Sequence, residues 1–249
     1  MAAPTQQQTQ ALRGIVERSE RLVFFGGAGV STESGIPDFR STQGLYNQST
    51  GMTYPPEVIL SHSFFRDHTD EFYFHYKAFK APLVSPQVAP NPAHHALVAW
   101  EKQGKLAALI TQNTDGLHHR AGSKNVLELH GSAHRNSCLG CQKEYGLDFL
   151  LSAEGIPTCD ECGEIVRPGV VLYEEGLDPA VMIEAARQLR AADTLIISGT
   201  SLVVYPAAGL VHDFGGDTLV VINNEPTPTD SRATLAIHAP VGETLSIFI

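Results

Sequence analysis

Basic residues are scarce in this chain. Its 249 residues carry 17 Lys+Arg against 27 Asp+Glu, a formal net charge of −10 at pH 7. Neutralising phosphates needs a basic face, so the balance argues against a general nucleic-acid binder. It leaves room for a cationic peptide, which an acidic surface attracts. Long apolar runs are missing as well. None approaches the ~20 residues of a transmembrane helix. The opening MAAPTQQQTQ lacks the basic start and apolar stretch of a signal peptide. The expectation is a cytoplasmic protein with no membrane partner, where thiols stay reduced. The four cysteines are then better suited to metal ligation than to disulfides. There is no internal repeat, and the glutamine-rich start is the one low-complexity stretch.

What is present suits a globular chain. It is 43% hydrophobic and 18% charged, enough to bury a real core, and its length allows one large domain or one large plus one small. Residues 6–19 read as a helix with Leu12, Ile15 and Val16 on one face. Leu22 to Phe25 is a short apolar run ending in Gly26-Gly27, a buried strand feeding a glycine turn and then a helix. From 41 to 92 aromatics are dense and no buried-strand run occurs. Phe65, Phe72, Tyr76 and Phe79 recur at helical spacing, a helical insertion whose plain reading is a packed aromatic face. Residues 92–104 and 178–191 read as helices. Segments 106–110, 126–129, 194–197 and 219–222 read as strands, and 138–162 reads as loop. Alternating strands and helices argue for an α/β fold with a parallel sheet covered on both faces.

Chemistry-bearing residues gather after the predicted strands. In LVFFGGAGVSTESGIPDFR, residues 22–40, glycines at a strand-to-helix turn would let backbone N–H groups approach a pyrophosphate. The dehydrogenase fingerprint is incomplete, because Thr32 stands where its third glycine would be. A tight turn alone would look the same. Cys138-x2-Cys141 and Cys159-x2-Cys162 have the spacing of a tetrahedral Zn²⁺ site. Four thiolates leave no open position, which makes the metal structural. Residues 112–118, QNTDGLH, can bind a sugar or carboxamide, and equally suit an Asn–Asp turn capping a helix. His130 ends a strand where an imidazole could move a proton near neutral pH. His94, His95, His118 and His119 receive no role. Gly199-Thr200-Ser201 and Asn223-Asn224-Glu225 suit either nucleoside contacts or ordinary turns.

Taken in order, GAGVSTESGIPDFR (27–40), QNTDGLH (112–118), LHGS (129–132), the paired cysteines, RPGVVLYEEGLD (167–178), GTSL (199–202) and the Asn223 segment resemble the sirtuins, the NAD-dependent protein lysine deacylases. The resemblance covers nearly the whole chain. It implies a Rossmann-like parallel sheet with helices on both faces (1–40, 81–132 and 168–249). It also implies a small module made of a helical insertion (41–80) and a zinc-binding insertion (133–167). NAD would be a co-substrate held between the two parts and an acylated-lysine protein the second substrate. The acyl oxygen would attack the ribose anomeric carbon and nicotinamide would leave. His130 would then act as general base on a ribose hydroxyl, yielding free lysine and O-acetyl-ADP-ribose. The resemblance places Ala28, Thr32, Phe39 and Arg40 along the cofactor loop, and Gln112 and Asn113 on the ribose, with Asn113 helping catalysis. Asp115 would hold the carboxamide, and Thr200, Ser201 and Asn223 the adenosine half. Val170 and Val171 would pair with the substrate backbone, an added-strand mode that reads side chains weakly.

Two positions depart from the family pattern: Thr114 replaces a common isoleucine, and Gly169 replaces a frequent Asp or Asn. Sirtuins preferring succinyl or malonyl groups resemble one another in a Tyr-x-x-Arg pair. The comparable residues here are Tyr73 and Tyr76, so no guanidinium would meet a distal carboxylate, and acetyl or other neutral acyl groups are expected. An NAD glycohydrolase or mono-ADP-ribosyltransferase on the same scaffold is the alternative activity. A non-catalytic zinc module that binds peptides and senses NAD is the alternative outside enzymes.

Overall fold

The computed structural model describes residues 3–38, 44 and 53–249. Six strands form one parallel sheet: β1 (Leu22–Gly26), β2 (Leu106–Thr111), β3 (Val126–Glu128), β7 (Thr194–Ser198), β8 (Thr218–Ile222) and β9 (Leu235–Ile237). Their spatial order is β3-β2-β1-β7-β8-β9, all neighbours parallel. Counted along the chain within this sheet alone, that is the 3-2-1-4-5-6 order of the doubly wound nucleotide-binding fold. Its switch point lies between β1 and β7.

The central strands are apolar almost without interruption because both faces of the sheet are covered. Every residue of β1 and β7 is buried. Alternate side chains feed different cores. Leu22, Phe24, Ile196, Val220 and Ile222 pack with Leu12, Val16, Leu97 and Trp100, which lie on α1 (Gln6–Arg18) and α5 (Pro92–Lys102). Val23, Phe25, Ile110, Leu195 and Ile197 pack with Ala185 and Leu189, on α8 (Pro179–Ala191). The helix starts are fixed by side chains. Thr5 and Gln8 form a capping box at α1. Asn91 caps α5 by accepting from the Ala93 N–H, and its amide donates to Val30 O at 2.7 Å and Ser34 Oγ at 3.0 Å. That second role ties α5 to the turn after β1.

A third core holds the small module. Short helices α2 (Pro56–Ile59), α3 (His62–Asp67) and α4 (Thr69–Lys80) contribute Phe64, Phe65, Phe72, Tyr73 and Tyr76. The cysteine segment contributes Cys138, Tyr145, Leu147 and Val166 to the same cluster. The aromatic face expected from the 65–79 spacing is therefore real, with Phe79 packed at its margin.

Three expectations need correction. The turn after β1 does not open an α-helix; it forms two single 3-10 turns, Ala28–Val30 and Thr32–Ser34. Segment 138–162 is not simply loop. It holds the end of β4 (Asn136–Cys138), β5 (Glu144–Tyr145) and α7 (Leu147–Ser152), and β4 pairs antiparallel with β5 and with β6 (Val166–Arg167). The sequence reading also misses β9, a three-residue strand at the sheet edge. Among the described residues no helix is long and apolar enough to cross a membrane.

Two histidines given no role are core residues. His94 on α5 and His118 on α6 (Leu117–Ala121) are buried, with ring centroids 4.8 Å apart. Burial pulls His94 down to about 4, opposed by the Asp115 carboxylate and reinforced by His95, and it pulls His118 well below 6.5, reinforced by His94 and His119. Both depressed values mean the unfolded chain binds more protons, so stability rises with pH through this range. Acidification from pH 6.5 towards 4 should therefore destabilise the fold. Urea denaturation at pH 7 and pH 5 checks this; the midpoint should fall at pH 5, and less so in His118→Gln. Equal midpoints at both pH values would reject the assignment.

Candidate active site

Five consecutive strands of the large sheet end in polar segments on one edge. His130 follows β3, Gln112 to Asp115 follow β2, and Ala28 and Thr32 lie in the turns after β1. Thr200 and Ser201 follow β7, and Asn223 follows β8. At ~4.8 Å per strand, four spacings make a crevice on the order of 19 Å long, enough for an extended dinucleotide. Sequence-remote residues are thus brought together where open parallel sheets bind ligands. Phe39 and Arg40 lie outside the described residues.

At the switch point the two loops touch. Gly27 N–H donates to Ser198 O (3.1 Å) and Gly29 N–H to Gly199 O (2.8 Å). A Cβ at Gly29 would sit 2.7 Å from Gly199 Cα, and one at Gly199, whose φ is +61°, would sit 2.4 Å from Val30 N. The glycines expected to admit a pyrophosphate serve first to let these loops meet.

Ser31, which sequence reasoning missed, joins two of the candidate residues. Its buried hydroxyl donates to Asp115 Oδ2 at 2.7 Å and accepts from Asn113 Nδ2 at 3.1 Å. Its place inside GAGVS, between two motif residues, was the only available signal. Asp115 Oδ1 accepts from the Leu117 N–H, so the carboxylate also makes the turn that the plainer reading expected. Thr32 Oγ1 donates to Gly29 O, which holds it in the turn. Gln112 Nε2 donates to Thr200 Oγ1 at 3.0 Å, linking the β2 and β7 loops. Thr200 is buried, Ser201 exposed and Asn223 half-buried with its amide on Glu225 O.

His130 Nδ1 lies 3.0 Å from Gln112 O. A carbonyl can only accept, so the proton sits on Nδ1 and the lone pair on Nε2 is left for chemistry. Burial holds the imidazole below 6.5, opposed by that hydrogen bond. The next segment runs alongside. Gly131 bridges Val170 antiparallel, and Val171 N–H donates to His130 O at 2.9 Å. Gly169 admits no side chain here, since a Cβ would meet Arg135 O at 1.5 Å, which is why the family's frequent Asp or Asn has no room. Tyr73 and Tyr76 are both inside the aromatic core. The Tyr73 hydroxyl donates to Val166 O at 2.6 Å. The Tyr76 hydroxyl has no partner among the described residues.

All four cysteine sulfurs lie within 4.8 Å of one another. Cys138 and Cys162 are 3.3 Å apart and Cys141 and Cys159 3.5 Å. These separations exceed a disulfide bond and approach the about 3.8 Å between sulfurs on a tetrahedral zinc. Gly140 and Cys141 N–H groups point at Cys138 Sγ, and the Tyr145 hydroxyl donates to Cys159 Sγ at 3.0 Å. Such donors stabilise thiolates, the form that binds the metal. The set fits Zn²⁺ and closes its coordination. Cys138→Ser should remove most bound zinc and lower the melting temperature by several degrees, read by metal analysis and thermal denaturation. A metal-free variant with wild-type melting would contradict a structural metal.

The Sir2 family model matches residues 27–206. A protein of Clostridium acetobutylicum named NAD-dependent protein deacetylase is 52% identical over 239 residues, covering 96% of each chain. One of the same name from Clostridium perfringens is 54% identical over 235 residues, covering 94% of this chain and 95% of its own. Among solved structures, a Sir2 complex with p53 peptide and NAD⁺ is 38% identical with a TM-score of 0.82, covering 95% of both chains. A Sir2 variant with deacetylated p53 peptide and 3′-O-acetyl-ADP-ribose is 37% identical with a TM-score of 0.86, covering 96% of both.

Proposed function

The chain belongs to the Sir2 family, and on that premise we propose that it is an NAD-dependent protein lysine deacetylase. It turns NAD and an acetyl-lysine protein into nicotinamide, lysine and O-acetyl-ADP-ribose. The observation that carries the reading is His130 at the end of β3, its Nδ1–H held by Gln112 O and its Nε2 lone pair left free. Beside it runs the Val170–Val171 segment.

NAD supplies the ADP-ribosyl group that accepts the acyl oxygen as nicotinamide leaves. The chain's residues do the rest. Thr200, Ser201 and Asn223 hold the adenosine half, and Ala28 and Thr32 border the phosphates, with Phe39 and Arg40 assigned to the same loop. Gln112 and Asn113 orient the ribose, Asn113 being fixed by Ser31. Asp115 accepts from the carboxamide. His130 Nε2 takes the proton of a ribose hydroxyl, and its low basicity keeps it neutral and ready at pH 7. Val170 and Val171 present backbone to the peptide. The groove beside them is lined by Glu174, Glu175 and Asp178 together with His62 and Arg167, both of which pair with Glu175.

His130→Ala should lower kcat for peptide deacetylation at least about 100-fold, followed by mass spectrometry of the products. Activity close to wild type would remove His130 from the role. Because burial lowers His130, its basic form persists on acidification, and kcat/KM against pH should hold until below 6.5. An acidic limb centred above that value would contradict this environment. Acetyl-lysine peptide should turn over faster than succinyl-lysine peptide, since Tyr76 is the residue comparable in sequence to the arginine of succinyl-preferring sirtuins and brings no guanidinium; the reverse order would reject the acyl preference.

A further inference from the structure

Lys80 ends α4 in the small module, yet its ammonium reaches the nucleotide edge of the large sheet. Nζ donates to Thr114 Oγ1 at 3.1 Å, and this is its one hydrogen-bond partner among the described residues. The side chain is half-buried. Burial pulls the ammonium down to about 8 while the Asp115 carboxylate holds it up, which places the two groups within each other's field. Nζ also lies 5.7 Å from the centroid of the Tyr76 ring. An ammonium has three donors, and Thr114 takes one.

The neighbouring backbone is already occupied. Thr114 O accepts from Ala133 N–H, and Asp115 O accepts from the His134 ring. Each Asp115 oxygen accepts one bond, from Ser31 and from Leu117, and keeps a further acceptor site. The polar capacity left between α4 and the β2 loop is therefore donors on Lys80 and acceptor sites on Asp115. A primary carboxamide offers the complement, an acceptor oxygen and a donor NH2.

Resting on the deacetylase reading, we infer that Lys80 is a second carboxamide-binding residue of the nicotinamide subsite: it donates to the carbonyl oxygen while Asp115 accepts from the NH2 group. The Thr114 hydroxyl aims the ammonium, which gives the departure from isoleucine at that position a purpose. Charge remains balanced, because Asp115 offsets the cation beside the pyridinium of NAD. The small module thus contributes a polar ligand to a site otherwise built from strand ends.

Nicotinamide and 3-acetylpyridine, which keeps the carbonyl and lacks the NH2, serve as probes of steady-state deacetylation. In Lys80→Met, both inhibition constants and the KM for NAD should rise roughly tenfold, the scale of a hydrogen bond to a charged donor. The KM for peptide should stay put, and Lys80→Arg should recover part of the loss. Thr114→Val, which frees the ammonium without removing it, should shift the same constants in the same direction by less, and covers the case in which Lys80→Met does not fold. Unchanged nicotinamide inhibition in a folded Lys80→Met enzyme, or an equal rise in peptide KM, overturns the inference. Wild-type protein that releases no nicotinamide from NAD and acetyl-lysine peptide would instead sink the deacetylase reading itself.

Discussion

Contact between two loops without side chains, at the switch point of the sheet, sets the geometry of the site. Gly27 and Gly29 after β1 meet Gly199 after β7 at distances that leave no room for a Cβ. A methyl group there would push the β1 loop outward and carry Ser31 with it. Ser31 is the shared partner of Asn113 and Asp115, so an amide and a carboxylate on the neighbouring strand would lose their common anchor. A steric constraint on backbone is thus converted into hydrogen-bond placement two residues beyond Gly29 and one strand across. These glycines answer to a loop–loop contact, and Thr32, at the third fingerprint position, is held in the same turn by its bond to Gly29 O.

Burial does different things to three histidines. His94 and His118 face each other in the core and stay neutral because a charge there would have little to stabilise it. They act as packing units whose cost appears only on acidification. His130 is also pushed towards neutrality, but one of its nitrogens meets a carbonyl. That single acceptor selects the tautomer, so the remaining lone pair has a defined direction. Low basicity alone would leave the ring free to take either tautomer; the carbonyl fixes which nitrogen keeps its lone pair.

Much of this was legible in the sequence because parallel strands covered on both faces must be apolar throughout. LVFFG, LAALIT, TLIIS and TLVVI stand out for that reason, and the motif residues directly follow them. The three-residue β9 and the two-residue strands β5 and β6 carry too few side chains for a period to show. The turn after β1 resembles a helix start in composition, yet its residues are drawn into 3-10 turns by the contact with Gly199 and by Asn91. Ser31, Glu33 and Lys80 were invisible because their partners are far away in the chain. Ser31 bonds a residue 84 positions on, and Glu33 accepts from the Gly242 and Glu243 N–H groups that begin α9 (Val241–Leu245). Pairings of that kind exist only after folding.

The zinc site influences the active site although it has no open coordination position. The helices of residues 56–80 and the cysteine segment do not have separate cores; Phe72, Tyr73 and Tyr76 pack against the side that Cys138, Tyr145 and Val166 complete. Val170 and Leu172 belong to that cluster too. Their extended segment is stitched on one side to His130, through Val171 N–H, and on the other to Leu60 and His62, through Tyr173. Fixing four sulfurs therefore fixes a core, the core fixes the 170–173 segment, and that segment lies against His130. A closed metal site suits that task, because a metal that exchanged ligands would pass its disorder along the same path.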